Sequence, residues 1–225
     1  MVYPHIKRAL DISASAAGLI LLAPVLGLLA VAIKLDSPGP VFYRGERIGR
    51  GGIPFRMLKF RTMVSDAERM GGTSTSDSDP RITRMGKMLR RGKLDELPQL
   101  LNVLAGDMSL VGPRPQVAHD VAKYSEAERA LLSVRPGITD YASIRFRDEG
   151  RILEGEPDPD EAYIRLIRPE KIRLGLEYVE TASLGVDLRI LARTIFSIFG
   201  SSEVSGETTP DGSGRTSGTG ARRRI

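Results

Sequence analysis

The chain has 225 residues, with 33 Lys and Arg against 28 Asp and Glu, and a formal net charge of +5. That length suits one or two domains, one being preferred, and 41% hydrophobic with 27% charged residues suits a folded chain. There is no cysteine, and His5 and His119 are the only histidines. This excludes a disulfide scaffold, a cysteine nucleophile, a thiolate zinc site and a multi-histidine metal site. Without Trp and with 5% aromatics, broad base-stacking platforms are not expected. What remains is the chemistry of carboxylates, Lys, Arg, hydroxyls, Tyr and oxygen-bound metal.

From Ile12 to Ile33 the chain carries no charge over 22 residues, long enough for a membrane segment. Three readings compete: a cleaved signal peptide, a single-span anchor, and a re-entrant or interfacial helix that enters the bilayer and returns. The run is long for a signal peptide. Pro24, near its middle, removes a donor and predicts a broken helix, with Ser13 and Ser15 placed to satisfy freed carbonyls. Lys7 and Arg8 precede the run, and Lys34, Arg44, Arg47 and Arg50 follow it. Positive charge at both ends favours the re-entrant reading, with both ends in the cytoplasm.

Ser37-Pro38-Gly39-Pro40 ends this helix. VFYRGERI and IPFRMLKF then read as a hairpin joined through Gly49-Arg50-Gly51-Gly52, which lacks the lysine of a phosphate loop. Helices are expected over 62–70, over 80–91 with Asp79 as cap, from Asp95 to Gly106, over 116–134, over 161–180 and over 186–199. In the last, Leu188, Leu191, Ile195 and Ile198 form an apolar stripe, which either packs in the core or lies on a bilayer surface. Residues 201–225 are Ser/Gly/Thr-rich and end in three arginines, which reads as a disordered, basic-ended tail. The fold class expected is α+β and helix-rich. Residues 1–36 form the membrane helix and 37–200 a compact, mostly helical domain with the small hairpin.

Two segments concentrate positive charge. Arg44, Arg47, Arg50, Arg56, Lys59 and Arg61 lie in the first, and Arg81, Arg84, Lys87, Arg90, Arg91 and Lys93 in the second. Such runs attract anionic lipid, form a solvated face, or hold phosphates. DNA binding fits poorly, because no helix-turn-helix, zinc or aromatic module accompanies the charge. Asp95-Glu96 follows the second run directly. Adjacent helical residues do not face one another, so the two carboxylates should differ in role. At a helix start the dipole favours an ionised Asp95, which is a usable nucleophile toward phosphorus. A magnesium ion on Asp95 and Glu96 would screen the repulsion between carboxylate and diphosphate. Simple capping is the competing account of the same pair.

LDELPQLLNVLAGDMSLVGPRP, residues 94–115, resembles the signature of the bacterial sugar transferase family, the monotopic phosphoglycosyl transferases. FRMLKFRTM at 55–63, GPVFYRGERIGRGG at 39–52, RPGIT at 135–139, and the late LEYVE and DLRILART segments resemble that family in the same order. The similarity runs from about Lys7 to Phe199 and is to the small, minimal form of the family. It implies transfer of a sugar-1-phosphate from a UDP-sugar to undecaprenyl phosphate, with UMP released. It also implies magnesium dependence, ping-pong order and a covalent phosphosugar on the aspartate of the dyad. Asp95 matches that nucleophile, Glu96 its partner, and Lys59, Arg90 and Arg114 the basic residues near the substrate phosphates. The family works on the cytoplasmic face of the bacterial inner membrane, among its lipids, and a homodimer is one option for the assembly. Two departures stand out. Gly92-Lys93 replaces small hydroxyl residues, and DYASIRFRDEG follows RPGIT where many members continue with a Gly-Leu-Ala-Gln-Val-like segment. The second bears on the identity of the sugar. From another class, a non-catalytic membrane-anchored scaffold with a basic lipid-binding face is the alternative.

Overall fold

A computed structural model describes residues 3–70, 75–76 and 78–199. The expected tail at 201–225 lies outside them, as does part of the polar stretch at 71–79. The long apolar run forms helix α1 (Tyr3–Asp36). The expected break at Pro24 does not interrupt it. The proline removes one N–H, and α1 continues on both sides as a single element. Ser15 is buried with its hydroxyl unpartnered and satisfies no freed carbonyl. Among the described residues α1 is the one helix long and apolar enough to cross a membrane, and only 6% of its apolar window is buried.

Both ends of α1 are fastened to the rest of the protein. Near its start, Tyr3 Oη and Lys7 Nζ each donate to Asp187 Oδ2 at 2.9 Å. Arg8 donates to the carbonyls of Val103 and Leu104 at 2.6 and 3.0 Å. Asp11 accepts from Leu110 N at 3.1 Å. Near its end, Leu29 and Ile33 join a core with Phe60 and Leu89. The buried Arg61 guanidinium donates to Ser37 O at 2.7 Å, Pro38 O at 2.6 Å and Ile33 O at 3.4 Å, satisfying carbonyls at the helix terminus. Arg61, a member of the first basic run, is thus a structural cap. Between the fastened ends, Ile20, Leu21 and Leu28 are more than 70% exposed.

The hairpin forms as expected from β1 (Phe42–Ile48) and β2 (Pro54–Phe60), antiparallel with Tyr43 opposite Lys59. Thr62 to Met70 is not the helix expected. It continues extended, Met63 bridging Ile82, before a short 3-10 turn at Ala67–Met70. Helix α2 (Arg84–Arg91) starts later than expected and is capped by Thr83, whose Oγ1 accepts from Gly86 N at 3.0 Å. Asp79 instead pairs with Arg81. Gly86 presses on β2's continuation, where an added Cβ would lie 2.0 Å from Thr62 O.

Helix α3 (Gln99–Ala105) ends at Gly106, which adopts φ 97°. Strand β3 (Ser109–Val111) pairs in parallel with β4 (Gly137–Thr139), a second small sheet the sequence did not announce. Residues 116–134 are not one helix. Helix α4 (Ala118–Val121) is short, and a 3-10 segment restarts at Glu128. The restart has a reciprocal cap, Ser125 N donating to Glu128 Oε2 at 2.7 Å and Glu128 N to Ser125 Oγ at 3.3 Å. After α5 (Tyr141–Arg145), α6 (Glu149–Ile152) and α7 (Pro159–Ala162), a π turn at Tyr163–Ile167 precedes α8 (Arg168–Thr181). The expected 161–180 helix therefore forms, with a π turn inside it just ahead of Pro169, which has no N–H to give.

Helix α9 (Leu184–Phe199) closes the chain. Its core contact runs through Ile190, with Val111 and Tyr178, and of the expected stripe Leu191 packs against that core. Leu188 and Ile195 are each 55% exposed and Phe196 76%. Substituting Gly86 by Ala should destabilise the fold by about 3 kcal/mol, because the new methyl meets backbone that cannot turn aside. Thermal unfolding in detergent checks this; an unchanged midpoint would contradict the close approach.

Candidate active site

Asp95 and Glu96 do not open an α-helix. They sit in a 3-10 turn, Leu94–Glu96, and α3 begins only at Gln99. Pro98 explains the difference. It cannot donate to Leu94 O, which is taken instead by Leu97 N at 3.3 Å. The turn is entered through Lys93 at φ 54°, the one non-glycine residue with positive φ among the described residues. This left-handed step follows α2 directly and swings the chain from the basic helix into the dyad.

Glu96 is the hub. Lys59 Nζ donates to its Oε1 at 3.0 Å. Arg114 engages both oxygens through Nη1 and Nη2, the first at 3.1 Å. Burial raises the Glu96 carboxyl, but the Arg114 guanidinium and the Lys59 ammonium outweigh it and hold the group well below the usual carboxylate range. Lys59 is pulled down by burial, with Glu96 opposing, and Arg114 is pushed up, chiefly by Glu96. Asp95 is 7% exposed, and its carboxylate has no hydrogen bond or ion pair among the described residues. Burial pushes its carboxyl up; Lys59 counteracts this, Glu96 adds to it, and Arg90 and Lys93 lower it further. The expectation that a helix dipole keeps Asp95 ionised is therefore replaced. The α-helix begins too late, and burial dominates.

Each cation is placed by structure the motifs only partly disclosed. Lys59 rides on β2, and β2 is bolted to α3 by Asn102. The Asn102 Oδ1 accepts from Leu58 N at 2.9 Å and its Nδ2 donates to Arg56 O at 2.8 Å. Arg90 donates through Nε to Thr62 Oγ1 at 3.0 Å, which leaves its charge within reach of Asp95. Arg114 projects from the loop after β3. There Gly112 N donates to Thr139 O and Gly137 N to Pro113 O, both at 3.0 Å. A Cβ on Gly137 would stand 2.1 Å from Gly112 N, so GPRP and RPGIT fit together only as glycine against glycine. Asp140 then accepts from Arg114 N at 3.3 Å. Lys59, Glu96 and Arg114 thus meet directly, with Asp95 adjacent and Arg90 acting across a short gap. Asn102, Thr62 and Asp140 were missed as supports. A polar residue inside the apolar α3 pattern was the available signal for Asn102.

A family model described as bacterial sugar transferase matches residues 2–201. This chain belongs to the bacterial sugar transferase family. A UDP-glucose:undecaprenyl-phosphate glucose-1-phosphate transferase of Caulobacter vibrioides is 43% identical over 199 residues, covering 85% of this chain and 69% of that protein. An Escherichia coli protein of the same name is 40% identical over 198 residues, covering 86% of this chain and 40% of its own length. The Rhizobium leguminosarum exopolysaccharide production protein PSS is 40% identical over 203 residues, covering 85% of this chain and 94% of its own. The chain therefore spans well under half of the E. coli relative and nearly all of the Rhizobium one.

Replacing Glu96 by Gln should cost about 3 kcal/mol of stability, since Lys59 and Arg114 would be left buried without a counter-charge. Chemical denaturation checks this. A loss below about 0.5 kcal/mol, the size expected of an exposed pair, would remove Glu96 from its central place.

Proposed function

We propose that this chain transfers a sugar-1-phosphate from a UDP-sugar to undecaprenyl phosphate, giving undecaprenyl diphosphate-sugar and UMP. The observation that carries the reading is the contrast within the dyad. Glu96 is neutralised by two cations, while Asp95 is buried, unpaired among the described residues, and faces positive charge. The named activities of the Caulobacter, E. coli and Aeromonas hydrophila relatives, two glucose-1-phosphate transferases and an N-acetylgalactosaminephosphotransferase, support the same reaction class.

The chemistry follows in two displacements. An Asp95 carboxylate oxygen attacks the phosphorus that bears the sugar, and the bond to the UMP oxygen breaks. The phosphosugar is then an acyl phosphate on Asp95. A phosphate oxygen of the lipid attacks the same phosphorus, the bond to Asp95 breaks, and the carboxylate is regenerated. Lys59, Arg90 and Arg114 offset charge on the phosphoryl oxygens during both displacements. Glu96 holds Lys59 and Arg114 in place, which makes it a positioning residue rather than a second nucleophile.

Asp95 and Glu96 were both expected to bind magnesium. No cluster of three or more His, Cys, Asp or Glu suited to a metal occurs among the described residues. Magnesium commonly takes one or two carboxylates plus substrate phosphates. Asp95 fits that role, whereas the Glu96 oxygens are already engaged. When bound there with the diphosphate, magnesium would supply Lewis-acid charge and favour an anionic Asp95.

The membrane placement rests on α1. Both of its ends are held by one folded body, while its middle exposes large apolar side chains. A span would need its ends on opposite sides. An interfacial helix, or a re-entrant one bent at Pro24 without losing its helical continuity, keeps them together and sets the dyad at headgroup level on the cytoplasmic face, where lipid phosphate and soluble nucleotide meet. The exposed apolar residues of α9, which Asp187 joins to the start of α1, extend this face.

Detergent-solubilised protein given a UDP-sugar, magnesium and undecaprenyl phosphate should release UMP. Asp95→Asn should lower the rate by at least about a thousandfold, as expected for loss of a nucleophile. With donor alone, intact-protein mass spectrometry should show one phosphosugar added to wild type and none to Asp95→Asn. An unmodified wild type that still turns over would exclude the covalent route. For topology, single cysteines at His5 and Lys34 should both label from the cytoplasmic side. Labelling of one from the opposite side would convert α1 into a span.

A further inference from the structure

A cavity of about 270 Å³ opens beside the dyad. Its near wall includes Glu96 and Arg114, and its far wall is built by α5, α6 and α8. The volume lies near the small end for ligand pockets and suits part of a ligand better than a whole nucleotide sugar.

Three features of the far wall are those of a recognition surface. Ser143 is one of the lining residues, and its Oγ is buried with no hydrogen-bond partner among the described residues. Lys171 Nζ donates to Glu149 Oε2 at 2.5 Å and stands 4.9 Å from the centre of the Tyr163 ring. An ammonium carries three donors and a carboxylate several acceptor sites, so this pair keeps capacity of both kinds. Asp140 is 3% exposed and accepts from Ser143 N at 2.6 Å and from Arg114 N at 3.3 Å. One carboxylate therefore sets both the phosphate-facing loop and the serine. Ile138, Ile144 and Phe146 supply apolar wall between the polar groups. A pyranose ring has the complementary character, with apolar C–H faces and an edge of hydroxyls that both donate and accept.

We propose that this cavity takes the sugar ring of the donor. Ser143 and the Lys171–Glu149 pair read its hydroxyl or amide substituents, and Asp140 is a positioning residue for that reading. The inference rests on the transferase reading above. With the diphosphate at Lys59 and Arg114, the cavity sharing Arg114 is open to one end of the donor. An isoprenoid tail there would desolvate the Lys171–Glu149 pair with no polar group in return. Asp140, Ser143 and Glu149 all lie in DYASIRFRDEG, one of the two segments that depart from the family resemblance, so this chain's sugar choice would be its own.

The test compares UMP release by wild type, Ser143→Ala and Lys171→Met. The donors are UDP-glucose, UDP-galactose and their 2-acetamido counterparts, and UDP affinity is measured by calorimetry. KM for the preferred donor should rise about tenfold, the ratio of kcat/KM between donors should shift, and UDP affinity should hold within about twofold. Ser143→Ala removes an oxygen that has no hydrogen-bond partner among the described residues, so it decides the matter even where Lys171→Met fails to fold. Equal losses with all donors, or a parallel loss of UDP affinity, overturn the proposal and make the cavity a nucleotide site or a packing feature. Absence of UMP release by wild type with every donor overturns the transferase reading and this assignment with it.

Discussion

The active region depends on one carboxylate clamped between two cations. Glu96 draws Lys59 from the hairpin and Arg114 from the β3 loop onto the turn that carries Asp95. These three stretches are far apart in the chain and share no regular element. Without a central anion, Lys59 and Arg114 would repel each other; Arg114 adds to the burial that pulls the Lys59 ammonium down. The same neutralisation sets the chemistry. A dyad in which both carboxylates were free would repel a diphosphate twice over. Engaging one leaves a single buried carboxylate, Asp95, facing a positive surround.

The scaffold around this triad is built from close backbone approach rather than from a large sheet. Gly86 against Thr62, and Gly112 against Gly137, let elements meet where a side chain would hold them apart. Asn102 and Asp140 then use side-chain hydrogen bonds to lock β2 to α3 and the GPRP loop to α5. Buried polar groups of this kind are costly when unmatched, so they specify one arrangement. The rigidity matters because phosphoryl transfer relies on positioning more than on protein covalent chemistry.

The membrane helix belongs to the same construction. Its first turns end on Asp187 and on the carbonyls closing α3, and its last turn ends on Arg61. Because α3 follows the dyad turn and Arg61 lies two residues beyond Lys59, α1 is tied to both sides of the site. Depth in the bilayer and geometry at Asp95 are thereby linked through short, direct contacts. Arg61, from the first basic run, is spent on this attachment.

The sequence by itself determined the apolar helix, the hairpin, the helix stop at Gly106 and the dyad with its basic partners. Each of these rests on local chemistry: an uncharged run, alternating residues around glycines, a left-handed glycine, and clustered charge in recognisable motifs. Tertiary structure alone decided that α1 runs on through Pro24, that Asp95 lies in a 3-10 turn ahead of Pro98, that Thr83 rather than Asp79 caps α2, that the 116–134 helix is divided and that the 161–180 helix carries a π turn. It also decided the different fates of the two carboxylates. Local rules say that the adjacent pair should differ in role, but not which of the two is paired. Only the arrival of Lys59 and Arg114 from distant segments, together with burial, pairs one and leaves the other unmatched, because charge compensation acts through space and not along the chain.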